Sequence, residues 1–396
     1  MRIQTDILIS GGGVAGLTAA ASFGSAGFGV ICVEPTPPVT EATAPGADLR
    51  TTAFLTPSIP VLEAAGLWAR LAPRATALQI MRIVDAGGTA QEPRQVKDFD
   101  AAELSDQPFG WNLPNWLLRR EMLARLAELP NVTFLPGLAT TALLTREDSA
   151  LVTLSDSTQV EAKLVIAADG RASTMRTAAG IGVKTFRYGQ RALTFAVTHA
   201  VPHQNVSTEI HRSGGPFTLV PLPDIAGQPA SAVVWMETGP EVQRLMALPE
   251  AAFEAEINAR SCLILGPLTL ASRRASWPII SQLAQRMAGQ RVALMAEAAH
   301  VVPPIGAQGL NMSLADLNCL LSLAHEMPLG GAAMLQAYHM RRHTAVTARV
   351  LGIDALNRAS MARAPVLRDL RAIGLSVLHG LAPVRRSLMR AGLGLR

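Results

Sequence analysis

Residues 6–10, Asp-Ile-Leu-Ile-Ser, form a short run of β-branched and apolar positions that ends in Gly11, Gly12 and Gly13. A run that is apolar on both faces and closed by a breaker predicts a buried strand of a parallel sheet. Residues 14–25 follow, rich in alanine and free of proline, and predict a helix ending near Gly27. Residues 30–34, Val-Ile-Cys-Val-Glu, predict a second buried strand closed by Pro35. The three elements make a β-α-β unit. Apolar residues at three- and four-residue spacing predict helices over 60–72 and 119–129. Residues 78–90 between them predict a strand and a Gly87-Gly88 turn.

Residues 164–168 repeat the buried-strand pattern. From 191 to 237 the chain changes to β-rich pieces (193–198, 217–221, 232–236) separated by Pro and Gly. A helix over 241–260 and a strand over 269–277 follow. Residues 291–295 return to a buried strand, and 309–325 to an amphipathic helix. The parallel-type strands are far apart in sequence, so the β-rich block is inserted within a discontinuous α/β domain. The expected division is a nucleotide-binding unit of residues 1–78, 105–183 and 286–345. A β-rich substrate unit takes 79–104 and 184–285, and 346–396 form a basic helical segment.

Apolar residues make up 49% of the 396 positions and charged residues 16%, which supplies a large core and excludes global disorder. Cys32, Cys262 and Cys319 stand far apart, which excludes a disulfide scaffold and fits a reducing compartment. No apolar run is long enough to span a bilayer, and the glycines interrupt the one N-terminal stretch that resembles a signal peptide. A cytoplasmic protein is expected. Charge changes the picture only at the end: residues 341–396 hold eleven Arg and two Asp, a net +9 within a chain of +5. That segment contains no aromatic residue, which argues against nucleic acid. An anionic membrane surface, a partner or second copy, and a cap packed on the protein itself remain open for it.

The strongest chemical signal is Gly11-x-Gly13-x-x-Gly16, placed between strand and helix, with Glu34 at the end of the second strand. Gly11 makes the tight turn, Gly13 lets backbone approach a pyrophosphate, and Gly16 lets helix pack on strand. Unpaired N–H groups of the helix start face the phosphates, and Glu34 accepts from a ribose hydroxyl. Glu34 also repels a 2′-phosphate. A second signal, Ala168-Asp169-Gly170-Arg171-Ala172-Ser173, follows a buried strand; by itself it reads equally as a turn with a helix cap. The third runs from Ala296-Glu297 through His300 and Pro303-Pro304 to Gly306-Ala307-Gln308-Gly309-Leu310-Asn311. Here a Pro/Gly loop feeds a helix whose start suits negative charge. His300, beside two alanines, reads as structural rather than catalytic. No second fingerprint for a resident nicotinamide is present.

These three signals, in this order, resemble the flavin aromatic hydroxylases that include p-hydroxybenzoate hydroxylase. Within them the chain is most similar to the ubiquinone-biosynthesis flavin monooxygenases, the UbiH/UbiF group. Further matches are Asp48-Leu49-Arg50-Thr51-Thr52-Ala53, residues 215–222, Val233-Val234-Trp235 and Asp354-Ala355-Leu356-Asn357-Arg358. The resemblance implies a Rossmann-like FAD-binding α/β domain with an inserted β-sheet domain. It implies FAD held by Gly11, Gly13, Gly16, Glu34, Arg50 and Arg119. Asp169 and Gly170 would support both FAD and visiting NAD(P)H. Glu297, Pro304, Gln308, Gly309, Leu310 and Asn311 would hold the ribityl chain and isoalloxazine.

The implied reaction uses O2: a flavin C4a-hydroperoxide hydroxylates the aromatic ring of a polyprenylated ubiquinone precursor, with no catalytic side chain nominated. A hydroxylase of a small soluble phenol, and a flavin-binding scaffold of a quinone-biosynthesis assembly, are the alternatives. The tyrosines that relay phenol protons in the p-hydroxybenzoate enzymes have few counterparts here, since only Tyr188 and Tyr338 exist. Two departures stand out. The family has Gly-Asp where this chain has Ala296-Glu297. Many relatives read Ala-Gly-Gln-Gly at 306–309, and the p-hydroxybenzoate enzymes share the Gly-Ala but continue with Lys.

Overall fold

The computed structural model describes residues 2–87, 92–212, 214–361, 374 and 376–395. Gly88 of the predicted turn, and Arg363, Arg368 and Arg371 of the basic segment, lie outside them.

Three sheets organise the chain. The first runs Ala288–Gly289, Val292–Leu294, Gln159–Ala167, Arg2–Ser10, Val30–Glu34, Val132–Pro136, and every neighbour after the first pair is parallel. Its register places Ser10 beside Val33 and Ala167, and Ala167 beside Leu294. The carboxyl ends of four strands therefore share one edge, where ligands bind in open α/β sheets. The core behind that edge is fully buried aliphatic: Ile7, Leu8, Ile9, Leu164, Val165, Ile166, Val292 and Leu294. Helix Val14–Ser25 packs on it through an almost unbroken buried surface from Gly16 to Gly24.

The second sheet runs His300–Val301, Ala275–Ala284, Val183–His199, Gln228–Thr238, Pro216–Ile225, Val206–His211, Ile80–Asp85, Gln95–Asp100. Strand alternation sorts its residues. Leu193, Phe195, Val197, Phe217, Leu219, Val233 and Trp235 face the helices Gly239–Ala247 and Glu250–Ser261, packing with Val242, Leu245, Phe253 and Ile257. The other face carries smaller side chains: Ala192 and Met236 cluster with Ile279 and, from the third sequence motif, Ile305. A small antiparallel sheet, Thr51–Leu55, Gly110–Pro114 and Thr76–Leu78, is joined to the second by Asn112 Nδ2, which donates to Pro221 O at 2.9 Å.

Helices Gln308–Glu326 and Ala332–Ser360 complete the first layer, and buried Tyr338 donates to Leu294 O at 2.7 Å. Among the described residues no helix is long and apolar enough to cross a membrane.

The sequence pattern and the structure part at several breaks. The helix expected over 60–72 divides into Ile59–Ala64 and Trp68–Leu71, because Gly66 takes φ +71° between them. The helix expected over 241–260 divides at Pro249, which lacks the N–H to continue. The strand expected from 78 becomes two pieces in different sheets, since Gln79 N turns aside to bond Asn205 O.

The described part of the basic segment from residue 376 on folds back on the protein. Arg385 makes a bidentate pair with Glu103, with N···O distances down to 2.7 Å, and its Nη1 also donates to His379 O. His379 packs edge-on against Phe99 and bonds Asp98 O. Arg385 is thus committed to an ion pair within the protein, as in the packed-cap alternative. Arg386 and Arg390 on helix Ala382–Leu393 stay exposed beside Leu388.

Candidate functional site

The fingerprint glycines divide by what surrounds them. A Cβ on Gly11, at φ +106°, would lie 2.4 Å from Ala168 O, and one on Gly16 would lie 1.9 Å from Gly11 O. Both are required by close backbone packing. Gly13 is different: nothing lies within 4 Å of its Cβ position. It is the N-cap of helix Val14–Ser25, with no capping side chain and no acid in the first turn. The helix start thus faces open space with its N–H groups unclaimed by any side chain, the arrangement an anion needs. Glu34 closes this corner, its carboxylate accepting from Gly12 N at 2.6 Å and Thr36 N at 3.1 Å. A carboxylate has further acceptor sites, so the capacity to accept from a ribose survives these bonds.

The second motif adjoins the first, since a Gly11 Cβ would also meet Asp169 Cα at 2.9 Å. Asp169 Oδ1 accepts from Ser173 Oγ at 2.5 Å and Oδ2 from Met175 N at 3.1 Å, and Ser173 caps helix Thr174–Ala178. The Asp169 side chain is therefore committed to holding a helix start, while Gly170, at φ +83°, lies open. Buried Arg176 joins this motif to the third: it donates to Arg171 O at 3.0 Å and to Ala298 O at 2.9 Å. Desolvation lowers its pKa, partly offset by Asp169.

In the third motif Glu297 is 49% exposed and lies 3.4 Å from Arg171 Nε. The two departures from the family pattern fall on matching geometry: Ala296 has φ +55° and Ala307 φ +54°. Both alanines stand where the left-handed backbone favours glycine. Pro304 and Gly309 are exposed, and helix Gln308–Glu326 starts with no acid in its first turn. The Asn311 side chain is consumed by structure. It donates to Ala53 O and Ala307 O and accepts from Leu55 N and Ser58 Oγ, all at 2.7–2.9 Å. Gln308 Nε2 likewise donates to Gly306 O and Gly392 O. Any contact from these two to a cofactor falls to their backbone. His300 Nε2 sits 2.6 Å from Asp316 Oδ2 with both side chains at 0% exposure, and Asp316 Oδ1 accepts from Arg342 Nε at 2.7 Å. This is a buried structural cluster.

Arg50 and Arg119 come together on Asp48. Arg50 binds it through Nε and Nη2 at 2.8 and 2.7 Å, Arg119 Nη2 lies 3.5 Å away, and Asn115 also donates to it. Burial works against the Asp48 charge, but these donors outweigh it and hold the pKa below its ordinary value. The Arg50 guanidinium sits 4.4 Å from the centre of the Trp277 ring on the second sheet. Asp48, Arg50, Arg119, Thr194, Arg273 and Trp277 line a cavity of about 260 Å3 between the sheets. Arg119 Nε is buried with no partner, a donor left for an anionic ligand. Sequence reasoning missed Asp48, Arg176 and Trp277 as parts of this region. Their partners lie up to about 230 positions away, and only the Asp48–Ala53 match pointed to one of them.

Glycine-lined strand ends, an open helix start beside an acid, and a buried Arg119 Nε with no partner among the described residues fit FAD, and the class they point to is a flavoprotein with a second, β-rich layer. Residues 4–351 match the model of the FAD-binding domain family, and the chain belongs to that family. It is 34% identical over 395 residues to the ubiquinone hydroxylase UbiL of Rhodospirillum rubrum, covering 98% of this chain and 89% of that one. It is 27% identical over 399 residues to the 3-demethoxyubiquinol 3-hydroxylase of Escherichia coli, covering 99% of each. The fold is shared with the crystal structure of p-nitrophenol 4-monooxygenase PnpA of Pseudomonas putida. That match has a TM-score of 0.79 and 19% identity, and covers 100% and 99% of the two chains. The chain is an FAD-dependent monooxygenase.

Proposed function

We propose that the chain hydroxylates the aromatic ring of a polyprenylated ubiquinone precursor, using FAD, O2 and NAD(P)H. The observation that carries this reading is the apolar surface opposite the third motif. Ile305 packs with Ala192, Met236 and Ile279, and Val220, Leu222, Ala230 and Ala232 continue the same sheet face. Tyr188 is the one phenol at that cluster, and its hydroxyl is already bonded to Ser281 Oγ at 2.6 Å and Asp354 Oδ1 at 2.5 Å. Burial and the Asp354 bond push its pKa up to about 12. A phenol so held is a poor base for deprotonating a small soluble phenol, which favours the greasy substrate over that alternative.

Gly11, Gly13, Gly16 and Glu34 would hold the adenosine and pyrophosphate half of FAD, with Arg50 and Arg119 near its entrance. Asp169 and Gly170 would support the cofactor from the neighbouring strand end, and Glu297 would accept from the ribityl chain. Pro304 and the N–H groups of Gln308, Gly309 and Leu310 would face the isoalloxazine, on a loop that Asn311 keeps in place. Bound flavin supplies the oxygen-transfer chemistry; the chain binds it, orients the ring and excludes water. Exposed Arg386, Leu388 and Arg390 would offer peripheral contact with an anionic membrane, where such a substrate resides.

The test supplies purified holoenzyme with NADH or NADPH and a short-chain prenylated phenol, and follows nicotinamide oxidation together with hydroxylated product. Coupled turnover is expected. A preference for a small soluble phenol, or bound flavin with no product, would overturn the reading.

A further inference from the structure

Arg349, on helix Ala332–Ser360, is a half-buried guanidinium whose hydrogen bonds all go to neutral oxygens. Nη1 donates to Gln308 Oε1 and, at 3.4 Å, to Gly392 O, and Nη2 donates to Ala391 O at 3.2 Å. Among the described residues no carboxylate lies within ion-pairing distance of it. The charged neighbour that acts on it most is Arg342, of like sign, which is itself neutralised by Asp316. Gly392 O and Ala391 O end helix Ala382–Leu393 and carry only the fractional negative charge of a helix terminus, about half an elementary charge. A net positive charge is left.

Its location gives that charge a use. Gln308 opens helix Gln308–Glu326, and its side chain links Arg349 to the loop: Oε1 accepts from Arg349, while Nε2 donates to Gly306 O at 2.7 Å. Two positive sources therefore converge behind residues 304–309: the helix start, whose unclaimed N–H groups carry the positive end of its dipole, and Arg349. An uncompensated cation costs stability when taken from water, and a hydrophobic residue could fill this position more cheaply. Two-electron reduction adds negative charge to a flavin, concentrated along N1 and O2. A fixed positive potential favours the reduced over the oxidised form.

We propose that Arg349 is a positioning residue for the flavin reaction: through Gln308 it fixes the 304–309 loop and sets a positive potential that raises the reduction potential of bound FAD. This rests on the flavin placement proposed above. Acting behind the loop, Arg349 touches neither substrate nor cofactor.

The experiment measures the midpoint potential of the holoenzyme by equilibration with reference dyes. Three variants are compared with the parent: Arg349→Met, Arg349→Lys and Gln308→Glu. Arg349→Met is expected to weaken the preference for reduced FAD about tenfold, a fall of about 30 mV for a two-electron couple. Arg349→Lys keeps the charge and should stay close to the parent. Gln308→Glu supplies the missing counter-charge, so it should also lower the potential while the loop remains tied to Arg349. A thermal melt accompanies each, because a merely structural Arg349 would lower stability and leave the potential unmoved. Arg349→Met and Gln308→Glu that both retain FAD at the parental potential would overturn the proposal. A parent protein that binds no FAD would instead overturn the flavin placement on which it rests.

Discussion

Two glycines of one fingerprint should fail in opposite ways when replaced. At Gly16 an alanine Cβ would sit 1.9 Å from Gly11 O, a backbone atom fixed by the strand edge. Helix and strand must separate, and overpacking of this severity costs at least about 3 kcal/mol. Gly16→Ala should therefore lower the stability of the apoprotein, whatever it does to FAD. At Gly13 the Cβ position is empty to 4 Å, so Gly13→Asp meets no protein atom there. An Asp N-cap gains a few tenths of a kcal/mol over Gly, and its charge at the helix start gains about 0.3–1 kcal/mol more. The apoprotein should unfold at the same urea concentration or slightly above. The same carboxylate repels a pyrophosphate approaching that helix start. A unit charge pair 4 Å apart at an effective dielectric of 20 contributes about 4 kcal/mol, or about three powers of ten in Kd. Urea titration of the apo forms and flavin absorbance of the purified proteins separate the two effects. Full FAD occupancy in folded Gly13→Asp, or parental stability in Gly16→Ala, would refute this division of labour.

Three further outcomes are expected. Ala296→Gly and Ala307→Gly relieve left-handed backbone at φ +55° and +54°, and each should stabilise by about 0.5–1 kcal/mol in chemical denaturation; a loss in both would refute the strain. The chain has two tyrosines, and both pKa values are raised, Tyr188 to about 12 and Tyr338 well above 10, with burial the first cause of each. The neutral phenols are the forms the fold favours, so their contribution is intact below pH 10 and is lost as pH rises toward 12 and beyond. The native protein at pH 10 should show almost no tyrosinate absorbance, and the unfolded chain about half of its maximum. Vesicle flotation should show salt-sensitive binding to anionic lipid that weakens in the Arg386→Gln, Arg390→Gln double variant, with FAD content unchanged; equal binding to neutral lipid would exclude the electrostatic contact.

What the sequence reveals depends on how far apart the interacting groups lie. The backbone geometry around Gly11, Gly13, Gly16 and Glu34 was readable because the motif is local: one turn, one helix start, one strand end. Helix Val14–Ser25 and strand Val30–Glu34 match their expected limits for the same reason. His300 was readable as structural from its alanine neighbours, but Asp316 and Arg342 were not readable as its partners. Nothing local announces that Arg385 will pair with Glu103, 282 positions earlier. The edge strand Thr140–Thr145 and the inner strand Val206–His211 went unseen because their mixed polar composition lacks a buried-strand run. The Ala296 and Ala307 departures were visible in sequence, yet their shared cost appears only in the backbone angles.

The order of strands in the first sheet also governs when this protein can come into being. Gln159–Ala167 is flanked on one side by Arg2–Ser10 and on the other by Ala150–Leu154 along its start and Val292–Leu294 along its end. The loop that follows the last of these would supply one wall of the proposed flavin region. A nascent chain cannot complete the sheet until Val292–Leu294 has been made, 127 positions after Ala167. At about 5–20 residues per second that gap lasts roughly 6–25 s. Throughout that interval the Val165–Ala167 end of this edge, beyond the stretch paired with Ala150–Leu154, waits for its neighbour with backbone groups unpaired, an invitation to wrong pairing. The Gly11–Gly16 turn is therefore made well before its sheet edge is complete, and capture of a cofactor there would wait for Val292–Leu294.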